Sequence, residues 1–289
     1  MSRIEDVLKK LQSRGSPPPA VAPSLATPRS PVPLAHKKKV IIEGGRHHVS
    51  PEALMHGGLL APLDHAVSVA DEFRRIKRPL IANAMRTGPA AAPHQNVIMI
   101  ASGLPGAGKT FCSVNLAVSI SLERELNVLL VDADVAKPHI SRAFGLQDQP
   151  GLIDLLVNEK ASVAEVLVRT DLNDILVLPA GRRHPQATEL LASERMAAVV
   201  KELATRYSDR IVLLDSPPLL LTSEAQALAG QVGQIVVVIE AGKTLHQSMQ
   251  QTLEALDPEK AVNVVLNKVR HWSKAGHYYG EYGYHSYGS

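Results

Sequence analysis

Near the middle of the chain, the run Gly103-Leu104-Pro105-Gly106-Ala107-Gly108-Lys109-Thr110 has the residue types and spacing that hold a triphosphate. Gly103, Gly108, Lys109 and Thr110 satisfy G-x-x-x-x-G-K-[ST], between an apolar strand-like run and an amphipathic one, which is where that motif belongs. Glycines let backbone N–H groups curl around phosphates, the Lys109 ammonium supplies a point charge for the β and γ oxygens, and the Thr110 hydroxyl suits magnesium. The chemistry implied is binding of ATP with Mg2+ by Gly103, Pro105, Gly106, Ala107, Gly108, Lys109, Thr110 and Phe111. Three carboxylates extend the set, because Asp132 and Asp134 end the run "NVLLVDAD" and Asp215 ends "RIVLLD". Ligands of an open parallel sheet collect at the carboxyl ends of its strands, so all three are expected at the phosphate pocket. Asp215 has the Walker-B position, in the magnesium shell. A lone strand-end aspartate usually caps a helix or forms a turn. Three of them beside a phosphate loop weaken that reading.

A second chemical group lies in "GHYYGEYGYHSYGS", residues 276–289, which holds five of the six tyrosines: Tyr278, Tyr279, Tyr282, Tyr284 and Tyr287. The intervening glycines suit a pliable segment that presents each hydroxyl in turn, and so little apolar surface cannot offset the entropy of ordering it.

The elements that must position these groups follow from periodicity. Short β-branched runs at 96–102, 127–133, 174–180, 210–216, 234–240 and 262–267 alternate with stretches long enough for crossover helices, such as 109–122, 185–206 and 243–256. Near-continuous apolar strands are those of a sheet covered on both faces, so the fold class is α/β, a doubly wound and mostly parallel sheet of P-loop NTPase type. The expected organisation is an amphipathic helix at 1–15, a Pro/Gly-rich and largely disordered linker at 16–61, the P-loop domain at 66–270 with an arm at 66–94, and the tyrosine tail at 271–289. Ile4, Val7, Leu8 and Leu11 have helical spacing, and seven prolines between Ser16 and Pro33 hold the chain extended. His47, His48 and His56 lack metal-ligand spacing and are expected as surface histidines.

Composition narrows the class further. The 289 residues are 45% hydrophobic, with a formal charge of +3 and dispersed basic residues, which argues against nucleic acid as a partner. The lone Cys112 excludes an intrachain disulfide or a cysteine-rich metal centre and fits a reducing, cytoplasmic compartment. It is expected to pack as a small hydrophobe. No apolar run approaches the roughly 18 residues of a spanning helix.

"ASGLPGAGKT", "LLVDADVAKP" and "VLLDSPP" together resemble the Walker A, A′ and B motifs of the bacterial tyrosine autokinases of polysaccharide export, over residues 66–289. "EFRRIKR" matches that family's E-x-x-R-x-x-R element through Glu72, Arg75 and Arg78, and the terminal tyrosine cluster matches as well. The resemblance is greatest to the cytosolic form found with exosortase-type systems. It implies ATP-dependent phosphorylation of the five tail tyrosines, ring-like self-association through Glu72, Arg75 and Arg78, and a separate membrane-spanning chain-length determinant as partner, which would recruit the kinase to the inner face of the cell membrane. Asp134 or Asp132 would be the base, with the other assisting magnesium. Asp215 would hold the metal shell, Lys109 would stabilise the transferring charge, and Asn267 would read the adenine edge. The sequence departs from the family at Ala107, where Glu is common, and at Ala136 and Lys137, where an arginine pair is common. The related partitioning ATPases carry lysine where this loop has Leu104. The alternative is an ATPase switch of that partitioning or regulatory type, with water as the acceptor. "PAGRRHPQATELLAS" also resembles a family segment and is expected to serve subunit or helix packing.

Overall fold

The computed structural model describes residues 45–61, 65–88, 92–207 and 209–269. The expected N-terminal helix, the proline-rich part of the linker and the tail with its five tyrosines lie outside the described residues. In chain order the elements are α1 (Pro51–His56), α2 (Ala66–Ala84), β1 (Val97–Ala101), α3 (Lys109–Ser121), β2 (Asn127–Asp132), α4 (His139–Ala143), α5 (Leu152–Val157), α6 (Val163–Val166), β3 (Val168–Arg169), β4 (Leu176–Leu178), α7 (Ala187–Leu191), α8 (Glu194–Arg206), β5 (Arg210–Asp215), α9 (Ser223–Gln231), β6 (Gln234–Glu240), α10 (His246–Glu254) and β7 (Ala261–Asn267).

Among the described residues the seven strands form one sheet in the order β3-β4-β2-β5-β1-β6-β7. All pairs are parallel except the short β3–β4 pair. Successive side chains of a strand face opposite ways, and the inner strands use both faces. Val97 and Met99 join one apolar cluster with Leu155, Val199, Leu203 and Leu228 from α5, α8 and α9. Ile98 and Ile100 join the other with Phe73 and Leu80 of α2 and Leu116 and Ile120 of α3. The doubly wound, mostly parallel sheet is therefore as the apolar runs imply.

Two expectations are corrected. The stretch 185–206 is two helices rather than one: α7 ends, and the Ser193 hydroxyl accepts from the Met196 amide to start α8 afresh. The part of the expected linker from 45 to 61 is folded. Ser50 caps α1 by accepting from the Ala53 amide, Leu54 has no exposed surface, and the Leu59 carbonyl accepts from Asn115 Nδ2 of α3 at 2.9 Å. His47 bridges the sheet edge at Thr170, and His48 pairs with Asp171 at 2.6 Å. Its partners lie far along the chain, so local composition could not reveal its order.

Helix α2 buries Phe73, Lys77, Leu80 and Ala84 at helical spacing. The Lys77 ammonium pairs with Glu123 at 2.7 Å and donates to the Ser119 carbonyl, tying α2 to the end of α3. Glu72, Arg75 and Arg78 lie on the exposed side, where Glu72 and Arg75 make no hydrogen bond or ion pair among the described residues. Among these residues no helix is long and apolar enough to cross a membrane.

Because Leu54 is a fully buried leucine in a segment of linker-like composition, Leu54→Ala should lower unfolding stability by about 2–5 kcal/mol. Denaturant melts measure this, and an unchanged midpoint would show that residues 45–61 are not integral to the fold.

Candidate nucleotide and phosphoryl-transfer site

The phosphate loop leaves β1 and enters α3 at the carboxyl edge of the sheet. Gly108 has φ 95°, a left-handed conformation, and a Cβ there would come within 2.2 Å of Asn267 Nδ2. At Gly103 a Cβ would lie 2.1 Å from Thr252 Oγ1 of α10, so the first glycine of the motif is required by packing. The loop is clasped from β7: Asn267 Nδ2 donates to the Ala107 carbonyl at 2.8 Å, and Lys268 Nζ donates to the Gly106 carbonyl at 2.7 Å.

Asp215, at the end of β5, is fully buried and accepts two hydroxyl hydrogen bonds from the first turns of α3. Thr110 Oγ1 donates to Oδ2 at 2.7 Å and Ser113 Oγ to Oδ1 at 3.0 Å. Burial pushes its carboxyl up to about 6, against the pull of these hydroxyls and Lys109. Asp132 lies beside it, register partner to register partner on β2. Its Oδ2 accepts from the Ser141 amide at 2.8 Å and hydroxyl at 2.7 Å. Burial, with the neighbouring Asp215 charge, pushes it up to about 8. Its Oδ1 is buried without a hydrogen-bond partner.

Asp134, two residues past the end of β2, is the aspartate of the pair that reaches open space. It lines a cavity of about 830 Å³ together with Gly106, Gly108, Lys109 and Thr110 of the loop. Burial raises its carboxyl, opposed by the Lys137 amide at 3.2 Å and by the charges of Lys109, His139 and Lys137. Lys109 is 8% exposed, and burial lowers its ammonium against the fields of Asp215 and Asp134. A bound triphosphate would restore its charge preference.

The structure thus brings together Pro105, Gly106, Gly108, Lys109, Thr110, Phe111, Asp134 and Asn267 around the cavity, with Asp132 and Asp215 beneath it. Gly103 and Ala107 belong to the loop without lining the cavity. A cation fits this donor set. Two adjacent buried carboxyls with raised proton affinity, one carrying an unpartnered oxygen, stand next to the Thr110 hydroxyl. Among the described residues no group of three His, Cys, Asp or Glu side chains is placed to hold a metal alone. Phosphate and water oxygens would have to complete the shell of a metal held here, as magnesium prefers.

Several contributors escape sequence reasoning. Ser141 fixes Asp132 and itself accepts from the Ala180 amide at 2.9 Å, so the "PAG" segment reaches the site from behind. That segment packs on a helix as expected: the Pro179 and Ala180 carbonyls accept from the Leu152 and Ile153 amides at the start of α5. Gly57, Gly58 and Leu59, from the stretch read as linker, also line the cavity. So does Glu224 of α9. The one available signal was "GG" after a short helical pattern, which marks a turn and not a wall. Cys112 is buried, with its thiol pushed up to about 12 by burial, as befits a packed hydrophobe. The three histidines have other partners: His47 contacts the Phe144 carbonyl and His48 Asp171, both distant in the chain, and His56 contacts the Glu52 carbonyl one helical turn away.

Comparison with known proteins agrees with this geometry. The family model described as an AAA domain matches residues 95–267. The chain is 33% identical over 185 residues to the tyrosine-protein kinase YwqD of Bacillus subtilis, covering 63% of this chain and 76% of that protein. It is 31% identical over 235 residues to the succinoglycan biosynthesis transport protein ExoP of Rhizobium meliloti, covering 74% of this chain and 29% of that one. The crystal structure of the chimerical protein CapA2B2 superposes with a TM-score of 0.60 at 26% identity, covering 78% of this chain and 94% of that chain. The chain spans about a quarter of the length of several longer kinase relatives.

Both buried carboxyls bind a proton more tightly folded than unfolded. The stability they contribute is complete below the ordinary carboxylate range near pH 4 and is lost as pH rises through about 6 for Asp215 and about 8 for Asp132. Thermal melts of the nucleotide- and metal-free protein should therefore fall from about pH 4 to about pH 8. Asp132→Asn should flatten the upper part of that fall, and an unaltered slope would contradict the assignment.

Proposed function

The chain belongs to the bacterial tyrosine-protein kinases, and from that premise we propose that it transfers the γ-phosphoryl group of ATP to tyrosines of its own C-terminal cluster. The carrying observation is that Asp134 lines the cavity together with Lys109, while Asn267 and Lys268, from which the chain departs toward the tail, line it too. From Val269 to Tyr278 is nine residues and to Tyr287 eighteen. At full extension these are about 30 and 60 Å, which allows delivery to the chain's own cavity or to a neighbour's.

Asp134 takes the phenolic proton as the tyrosine oxygen bonds to the γ-phosphorus. The bond from that phosphorus to the β–γ bridging oxygen breaks, and ADP leaves with the electron pair. Lys109 and the loop amides stabilise the charge on the transferring group. Thr110 and Asp215, with Asp132 behind them, would hold magnesium, which supplies charge neutralisation at the phosphate oxygens. Ser141 and Ser113 keep the carboxyls oriented. Asn267 contacts the adenine side while its amide braces the loop.

Glu72, Arg75 and Arg78 are the proposed contacts of a ring-like homo-oligomer, supported by their exposure and, for Glu72 and Arg75, by the absence of any partner among the described residues. Each phosphate adds about −1.5 to −2 charges, so five place roughly −8 to −10 on one tail and loosen the assembly. The proposed role is control of exopolysaccharide polymerisation and export through assembly state. The kinase would be cytoplasmic and recruited to the membrane by a membrane-spanning chain-length determinant.

Asp134→Asn should slow tail phosphorylation by about 100-fold or more while ATP still binds, measured by quantitative phosphopeptide analysis. Activity near the parent level would remove Asp134 as the base. Separately, Arg75→Glu with Arg78→Glu should sediment as a monomer that retains ATP binding, and unchanged mass would refute the proposed interface.

A further inference from the structure

We propose that Glu224 selects among acceptor tyrosines, an inference that rests on the autokinase reading above. Glu224 lines the cavity, is only 9% exposed, and makes no hydrogen bond or ion pair among the described residues. The other carboxylates of the site are engaged: Asp215 by Thr110 and Ser113, Asp132 by Ser141, Asp134 by the Lys137 amide. A carboxylate so placed is tolerated because it sits in the first turn of α9, where free backbone N–H groups favour an anion. Its charge is then available to whatever enters.

The segment leading to it supplies an apolar surface. Pro217, Pro218 and Leu221 also line the cavity, and Leu221 is 61% exposed, large for a leucine at a polar site. These side chains suit the ring of an incoming phenol, whose hydroxyl must reach Asp134. The charge acts on every acceptor phenol alike, whereas the chain neighbours of each tyrosine differ in charge.

In the tail, Tyr282 follows Glu281, and Tyr284 precedes His285. An unpaired carboxylate in a partly desolvated cavity repels Glu281 and accepts a hydrogen bond from the His285 imidazole, by a few-fold to tenfold in relative rate. Tyr284 is therefore modified before Tyr282. The same repulsion acts on any phosphotyrosine already present, so a phosphorylated stretch is a poorer acceptor than an unmodified one.

The test uses the full chain with ATP and magnesium, quenched at early times, with phosphate assigned to each tyrosine by mass spectrometry. The parent should label Tyr284 over Tyr282 by roughly fivefold, and Glu224→Gln should bring the ratio toward one. In the parent background, Glu281→Gln should raise Tyr282 labelling by a similar factor, a readout that does not depend on how Glu224→Gln folds. Labelled tails with the same ratio in parent and Glu224→Gln, or no response to Glu281→Gln, overturn the selection role and leave the kinase reading standing. Unlabelled tails in every protein overturn both.

Discussion

The site depends on the grip that Asp215 keeps on the first turns of α3. A carboxylate at the end of the sheet's middle strand accepts hydroxyl hydrogen bonds from Thr110 and Ser113, four and seven residues on from Gly106, and so fixes the phosphate loop against the sheet. Placing a charge there is costly in itself, which is why its proton affinity is raised together with that of Asp132. A bound cation and triphosphate would offset the cost of burying these charges. Binding and order at the loop are thus two sides of one electrostatic arrangement.

Around this grip the molecule is stratified by depth. Asp215 lies under the loop and holds it, with Asp132 buried beside it and held by Ser141; Asp134, two residues past Asp132, turns toward the cavity. The clasp from Asn267 and Lys268 closes the opposite side, and Lys268 is itself steadied by Glu240 at 3.2 Å. The exposed helix α2 is connected to the same centre. Phe73 meets Phe111 with ring centroids 6.1 Å apart, and Lys77 grips the far end of α3. The helix that carries the proposed assembly face thus packs, through its buried side, on the residue following Thr110.

Much of this was legible in the sequence, for identifiable reasons. Strands buried on both faces announce themselves as β-branched runs, and the P-loop glycines, lysine and threonine are dictated by phosphate geometry. The three aspartates were legible as a set because strand ends converge. Their depths were not, since whether an aspartate points under the loop or into the cavity depends on contacts such as Ser141 to Asp132. Leu54, Gly57 and Gly58 were misread as linker because their order comes from α3 and from the sheet edge at Thr170. Glu224 resembles any helix-starting acid until the cavity beside it is seen.

The most direct measurement follows ADP release and phosphotyrosine in one time course, using full-length protein, magnesium and ATP labelled at the γ-phosphate. The account predicts one tail phosphate for each ADP until the five tyrosines are filled, and neither product from Lys109→Met. ADP accumulating with inorganic phosphate while the tail stays unlabelled would contradict it.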